Sequence, residues 1–341
     1  MTGRPQLLNV KHDAMFIKWL MRCYLRRIVR EDIEFATEDG TVLRGYLHSS
    51  GTGPAPCIVM AHGFSGVKEQ IDHYAAAFCS VGFTVLVYDH RGFGSSEGTP
   101  RLEVDPHQQI ADWRDAITHA ASLPQVDAES GFAIWGSSFA GGLAVVVGAN
   151  DSRVRCVVSQ IPNVSGHRNG REMFTIEQRR EINELIQEDR KARLKGAAPA
   201  MIDVFGSDPD ALCALPPVVH PRFIELSIEG APSWKNEVTV RSVGHLIEFE
   251  PAGWIPHLSP KPWLMIVGRE DNCTFPEIQL EAYASAREPK KVVIHPGGHF
   301  QTYTKHFEQT SRAATEWFVE HMLGDDALAP ARREEHVPET V

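Results

Sequence analysis

Continuous apolar runs of about five residues, separated by stretches with helical spacing, set the rhythm of this chain. Cys57-Ile58-Val59-Met60-Ala61, Thr84-Val85-Leu86-Val87-Tyr88 and Phe132-Ala133-Ile134-Trp135 lack polar alternation, the pattern of strands buried on both faces. Lys68–Ser80 and about Asp105–Leu123 read as helices between them. Ahead of the first run, Asp32–Asp39 and Thr41–Ser49 alternate, and Asp39-Gly40 between them predicts a hairpin. Arg155–Ile161 continues the strand series. Trp263–Val267 and Lys291–His295 resume it later, and Phe307–Leu323 reads as a closing amphipathic helix. Strands alternating with helices predict an α/β fold built on a doubly wound, mostly parallel sheet.

The rhythm breaks over residues 163–256. There Arg171–Lys195 predicts one long charged helix, followed by Ala214-Leu215-Pro216-Pro217 and a mixed region up to about Trp254. The segment is expected to be a helical cap inserted into a core of residues 31–162 and 257–323. Residues 1–30 predict an amphipathic helix, with Phe16, Trp19, Leu20, Cys23 and Tyr24 on one face. Lys11, Lys18, Arg22, Arg26 and Arg27 make it basic, so it could lie on a membrane. Packing on its own domain or across a homodimer interface is the expected outcome, and the cap is a second candidate for such an interface. The charged tail, 324–341, is expected to be disordered.

The candidate chemistry begins at Gly136-Ser137-Ser138-Phe139-Ala140-Gly141-Gly142, directly after a buried strand and at the start of a small-residue helix. A serine at such a turn sits on strained backbone, so the positions two before and two after it must be small. Gly136 and Ala140 meet that need for Ser138, whereas Trp135 would crowd Ser137. A nucleophilic serine needs a base, and the base an orienting acid. The strand Trp263–Val267 runs into Gly268-Arg269-Glu270-Asp271, and the strand Lys291–His295 runs into Pro296-Gly297-Gly298-His299. Asp271 is preferred over Glu270 for its short side chain and its place three residues after Gly268. His299 is preferred over His295, which falls within the strand, and over His306, which falls in helix-like sequence.

An oxyanion hole is expected from the amides of Phe139, next to the nucleophile, and Phe64 in Ala61-His62-Gly63-Phe64. His62 is expected to brace that loop. Asp89 and Arg91, in Tyr88-Asp89-His90-Arg91-Gly92-Phe93-Gly94, are expected to fix a glycine-rich turn without taking part in the chemistry.

Composition removes other classes of function. A net charge of −10 leaves no basic stripe to replace phosphate counterions, so nucleic acid is not an expected partner. No run reaches the roughly 18–20 apolar residues of a transmembrane helix. The six cysteines form no CxxC, and buried reduced thiols fit a reducing, cytoplasmic setting. No HxH or HExxH spacing marks a metal site, and no phosphate loop or other cofactor signature is present.

The motifs together resemble the α/β-hydrolase superfamily over about residues 31–323. More narrowly, they resemble the fungal polyketide transferase and thiohydrolase family. The resemblance is carried by His62-Gly63-Phe64-Ser65-Gly66-Val67-Lys68-Glu69, by Tyr88–Gly98, by Trp135–Gly142, and by Ser233-Trp234-Lys235-Asn236 in the cap. It implies an α/β-hydrolase fold with a Ser138–His299–Asp271 triad acting on esters or thioesters, such as a polyketide acyl thioester or a lactone. The expected partner is a small-molecule acyl substrate, free or held on a carrier protein. Transfer of the acyl group to an alcohol or amine is the alternative, and a ligand receptor on a hydrolase scaffold a second. Trp234 and Trp254 are candidate apolar walls for the substrate.

Overall fold

The apolar runs become the centre of one eight-stranded sheet in the computed structural model of the chain, which describes residues 28–51, 53–206, 211–215 and 230–323. In chain order the strands are β1 (Val29–Ala36), β2 (Val42–Ser49), β3 (Cys57–Ala61), β4 (Thr84–Tyr88), β5 (Phe132–Ser137), β6 (Val154–Gln160), β7 (Met201–Asp203), β8 (Glu237–Thr239), β9 (Trp263–Gly268) and β10 (Lys290–His295). Across the large sheet they lie in the order β1-β2-β4-β3-β5-β6-β9-β10, while β7 and β8 form a separate ribbon. Within the large sheet β2 runs antiparallel to β1 and β4, and every other pair is parallel.

Side chains along the central strands alternate between two apolar layers, as the pleat requires. Cys57, Val59 and Ala61 enter one layer, and Ile58 and Met60 the other. The helices are α1 (Asp72–Ser80), α2 (Pro106–Ala121), α3 (Phe139–Asn150), α4 (Gly166–Met173), α5 (Ile176–Arg193), α6 (Val240–Glu248), α7 (Pro276–Ala284) and α8 (Phe307–Phe318). Tyr74 and Phe78 of α1 and Phe318 of α8 cover one face; Trp113 of α2 and Leu143 of α3 cover the other. The sheet is doubly wound, and its parallel strands end at a common rim, where ligands bind in such folds. Among the described residues no helix is long and apolar enough to cross a membrane.

Three features depart from the sequence expectation. The single helix expected over Arg171–Lys195 is two, α4 and α5. Thr175 takes an extended conformation and starts α5 with a capping box to Gln178, which overrides the continuous periodicity. The segment between β6 and β9 contains the β7–β8 ribbon as well as helices. The closing helix ends at Phe318 and passes into a wider turn over Val319–Leu323. Of the helix expected over 1–30, residues 1–27 lie outside the described residues, while Val29 and Arg30 pair with Ser49 and His48 in the hairpin. The tail 324–341 and the pair Pro216-Pro217 also lie outside them.

The two ends of the inserted segment are stitched together at its base. Gly166 N donates to Phe249 O (2.8 Å) and Ala252 N to Val164 O (2.9 Å). Glu250 accepts from Ser165 Oγ (3.0 Å) and His167 N (2.8 Å). Helix α6 then docks on the loop after β4. Arg241 pairs with buried Glu103, Val104 N donates to Ser242 Oγ (2.9 Å), and His245 Nδ1 donates to Val104 O (2.7 Å). The segment is thereby tied to the loop that follows β4.

Candidate active site

At the end of β5 the chain turns sharply into α3, and Ser138 takes the whole turn with φ 57° and ψ −121°. A left-handed φ on a residue bearing a Cβ is strained, and strain of this kind concentrates where a side chain must be presented in one direction. The neighbours explain how the turn fits. A Cβ at position 136 would overlap the Ala140 carbonyl, and one at position 141 would press on Pro162 at 2.9 Å. Ala140 itself is fully buried and tolerated, so the turn requires glycine before the serine but only a small residue after it. The two adjacent serines part completely. Ser138 Oγ lies 2.9 Å from His299 Nε2, whereas Ser137 Oγ faces away and meets the Tyr303 hydroxyl at 2.7 Å.

Asp271 and His299 come from the loops after β9 and β10, which are adjacent parallel strands. His299 Nδ1 lies 2.8 Å from Asp271 Oδ2 and 3.0 Å from Oδ1. Both side chains are almost fully buried. Burial opposes ionisation of Asp271. The facing His299 and the amides of Thr274 and Cys273 outweigh it and hold the carboxyl below its usual range. The amides reach Oδ1 at 2.8 Å from Cys273 and 3.0 Å from Thr274. An ionised acid on Nδ1 fixes the ring with Nε2 free to accept a proton from Ser138.

The rival residues have other work. Glu270 is exposed, and its amide donates to Gly297 O (3.1 Å), which ties the two loops together. His295 is buried, with Nε2 on Thr302 Oγ1 (2.9 Å) and Nδ1 accepting from Gly297 N (3.2 Å). Burial and the neighbouring His306 lower its pKa to about 4, so it stays neutral. His306 stands at the start of α8, with its ring 4.8 Å from that of His295.

The loop after β3 approaches the serine closely. A Cβ at position 63 would sit 3.0 Å from Ser138 Cβ, so only glycine lets the backbone pass without displacement. Among the described residues neither the Phe64 nor the Phe139 amide donates to a protein acceptor. His62 braces this loop. Its Nε2 accepts from His90 N (3.0 Å) and its Nδ1 donates to Gly63 O (3.0 Å). Asp89 lies buried behind it, accepting from Lys68 N (2.8 Å), Lys68 Nζ (2.7 Å) and Ser95 N (2.9 Å). Arg91 binds Asp112 and Asp39, so this acid and this base shape a turn and touch no reacting atom.

Aromatic rings flank the site on two sides. Phe64 meets Phe139 edge-on (6.0 Å), and Phe139 meets Phe249 at a tilt (5.1 Å). On the other side Phe300, against His299 at 5.1 Å, meets Phe205, which meets Trp234. Among the described residues Trp234 is therefore linked to His299 only through Phe205 and Phe300. Trp254 does not join them, being partly exposed beside His257.

Sequence reasoning missed Thr274 and Gln279. Thr274 Oγ1 lies 2.9 Å from Asp271 Oδ2 and 3.1 Å from Ile161 O, and Gln279 Nε2 donates to Thr274 Oγ1 (3.1 Å). Ile161 (φ 39°) and Phe275 (φ 27°) bracket this arrangement with left-handed backbone, unusual for bulky residues. A hydroxyl three residues after an acid, just ahead of a proline-started helix, was the available signal. Cys273 Sγ gathers with Asp271 and His299 within 4.8 Å, a donor set that could hold a cation. The carboxylate and Nδ1 are already bonded to each other, and burial raises the Cys273 thiol well above its usual pKa, so the cluster reads as an acid–histidine pair.

Comparison with known proteins places the chain among α/β-hydrolases. Residues 41–301 match the X-Pro dipeptidyl-peptidase (S15 family). A polyketide transferase of Stachybotrys chlorohalonatus is 31% identical over 78% of this chain and 88% of its own length. A thiohydrolase of Aspergillus aculeatus is 33% identical over 76% of this chain and 83% of its own. The crystal structure of an α/β-hydrolase from a Penicillium species superposes with a TM-score of 0.74 at 28% identity, covering 86% of this chain and 99% of the other.

Proposed function

The chain belongs to the X-Pro dipeptidyl-peptidase (S15) family of α/β-hydrolases, and from that premise we propose that this hydrolase cleaves neutral acyl esters or thioesters through an acyl-Ser138 intermediate. The observation that carries the reading is the unbroken line of contacts from Ser138 Oγ to His299 (2.9 Å) and on to Asp271 (2.8 Å). Ser138 Oγ bonds to the substrate carbonyl carbon while His299 Nε2 takes its proton. The negative charge that develops on the carbonyl oxygen is met by the amides of Phe64 and Phe139, each worth about 2.7–4 kcal/mol in such sites. Collapse of this intermediate breaks the bond to the alcohol or thiol, which leaves with the proton from His299. Water then gives a proton to the same nitrogen as its oxygen adds to the acyl carbon. The bond from that carbon to Ser138 Oγ breaks, Oγ takes the proton back from His299, and the acid leaves, with Asp271 ionised throughout.

An ester or thioester fits better than a dipeptide. A dipeptide with a free N-terminus carries an ammonium group, which a spare carboxylate would favour. Among the described residues each buried carboxylate already has partners: Asp89 with Lys68, Glu103 with Arg241, Asp112 with Arg91, Asp151 with Arg153, Asp189 with Arg193, and Asp271 with His299. Similarity to the thiohydrolase supports the thioester, and similarity to the polyketide transferase supports a second reading in which an alcohol or amine takes the place of water.

The test is cleavage of an acyl-N-acetylcysteamine thioester, with and without an added alcohol. Free acid from the wild type and none above background from Ser138→Ala is the expected result. Ester product in the presence of the alcohol selects the transferase. Equal turnover by Ser138→Ala overturns the reading.

A further inference from the structure

Directly beneath the elbow the sheet ends in polar residues, although it is buried on both faces. Ser137 and Gln160 are register partners on β5 and β6 and are both fully buried. Alternation puts Ser137 on the same face as Trp135, and Gln160 on the same face as Val158, the face covered by α1 and α8. Apolar residues there would complete that layer. Burying hydroxyl and amide groups instead is unfavourable unless they bond to one another.

All but Gln160 Oε1 do, and the bonds lead to the histidine loop. Ser137 Oγ and the Tyr303 hydroxyl are 2.7 Å apart. Gln160 Nε2 donates to Ser137 Oγ (3.2 Å) and to the Tyr74 hydroxyl (3.2 Å). The Tyr74 hydroxyl in turn reaches Thr302 O (3.1 Å), and His73 Nε2 reaches Tyr303 O (3.2 Å). Thr302 and Tyr303 belong to the single turn Phe300–Tyr303 that begins immediately after His299. Burial keeps both tyrosines protonated, raising Tyr74 to about 12 and Tyr303 further still. The turn that carries the histidine is therefore bolted to the residue adjacent to Ser138.

We propose that Ser137 and Tyr303, backed by Gln160 and Tyr74, are positioning residues that set the distance between Ser138 Oγ and His299 Nε2. The serine that sequence steric reasoning rejects as nucleophile thus acts on the reaction through the histidine loop. The inference rests on the Ser138–His299 reading above. A clamp of this kind acts on the chemical step, since misplacing a base by a fraction of an ångström slows proton transfer without touching the substrate.

The experiment uses p-nitrophenyl butyrate and a fluorophosphonate probe on the full chain. Tyr303→Phe is expected to lower kcat about 10-fold with KM within about twofold, and to slow fluorophosphonate labelling by the same factor. Ser137→Ala is expected to match it. The double variant should fall no lower than the worse single, because either change breaks the same bond. Folded variants with wild-type kcat and labelling rate overturn the proposal, as do losses that multiply in the double variant. If Tyr303→Phe does not fold, Ser137→Ala, which removes one oxygen, decides by the same readouts. Ser138→Ala separates the two levels of the argument. Loss of labelling there with unaffected clamp variants removes only the clamp, whereas persistent labelling removes the underlying mechanism.

Discussion

The rim of the central sheet and the inserted segment are built by opposite means. In the sheet the strands β3, β4 and β5 are buried on both faces, and a charge at their rim is neutralised internally, as Lys68 is by Asp89 at 2.7 Å. In the insertion, α5 buries only Ile182 and Asp189 of its eighteen residues, and its ion pairs Arg180–Glu184 and Lys191–Glu188 face solvent. A shell packed at crystal-like density holds reacting groups to fixed positions. A helix with one buried apolar residue can change its sequence and tilt at small cost. On the proposed function, the contrast leads us to expect the chemistry at the rim and the choice of acyl group in the insertion.

The sharpest way to break that division is at the acid. Asp271→Asn keeps the size of the side chain but removes the charge that fixes the His299 tautomer, and kcat is expected to drop about 10⁴-fold with little change in KM. An effect of only a few-fold would move the chemistry away from this rim.

Glycine substitutions probe the packing side of the same contrast. Gly136→Ala forces a methyl into the Ala140 carbonyl and should cost about 1–3 kcal/mol in urea unfolding. In the insertion, a Cβ at Gly253 has nothing within 4 Å, and Gly253→Ala should stay within about 0.5 kcal/mol of wild type. Equal costs at the two sites would erase the difference.

Acid should attack the rim through its buried histidines. Burial lowers the pKa of His62, of His90 and, to about 4, of His295, so the folded state keeps them neutral. The unfolded chain binds those protons near pH 6.5, with the usual histidine pKa of about 6.5. Stability from these groups is therefore complete above about pH 6.5 and declines as pH falls toward the folded value. The thermal midpoint should drop between pH 6.5 and 4.5, and His295→Gln should make that slope shallower. The smallest effect belongs to the insertion: Arg180→Ala, which breaks an exposed pair, should leave the midpoint unchanged.

Much of this was legible from sequence because it is local. Five-residue apolar runs dictate buried strands, Asp39-Gly40 dictates the hairpin, and small residues around Ser138 betray a turn that excludes larger ones. Asp271 and His299 follow from strand ends that a parallel sheet must bring together. The unread parts depend on partners far along the chain. Tyr303 reaches Ser137 across 166 positions, and Thr274 takes its meaning from Ile161 O, a contact no periodicity announces. The break between α4 and α5 was written in Thr175 and Gln178, but charged residues on both sides kept the helical pattern continuous across it.

The most direct test of the central claim is which of two adjacent serines is the nucleophile. Wild type, Ser137→Ala and Ser138→Ala should be treated with a fluorophosphonate and the modified peptide sequenced by mass spectrometry. The account predicts a single adduct on Ser138 in the wild type, the same adduct formed more slowly in Ser137→Ala, and none in Ser138→Ala. An adduct on Ser137, or labelling that survives Ser138→Ala, would contradict it.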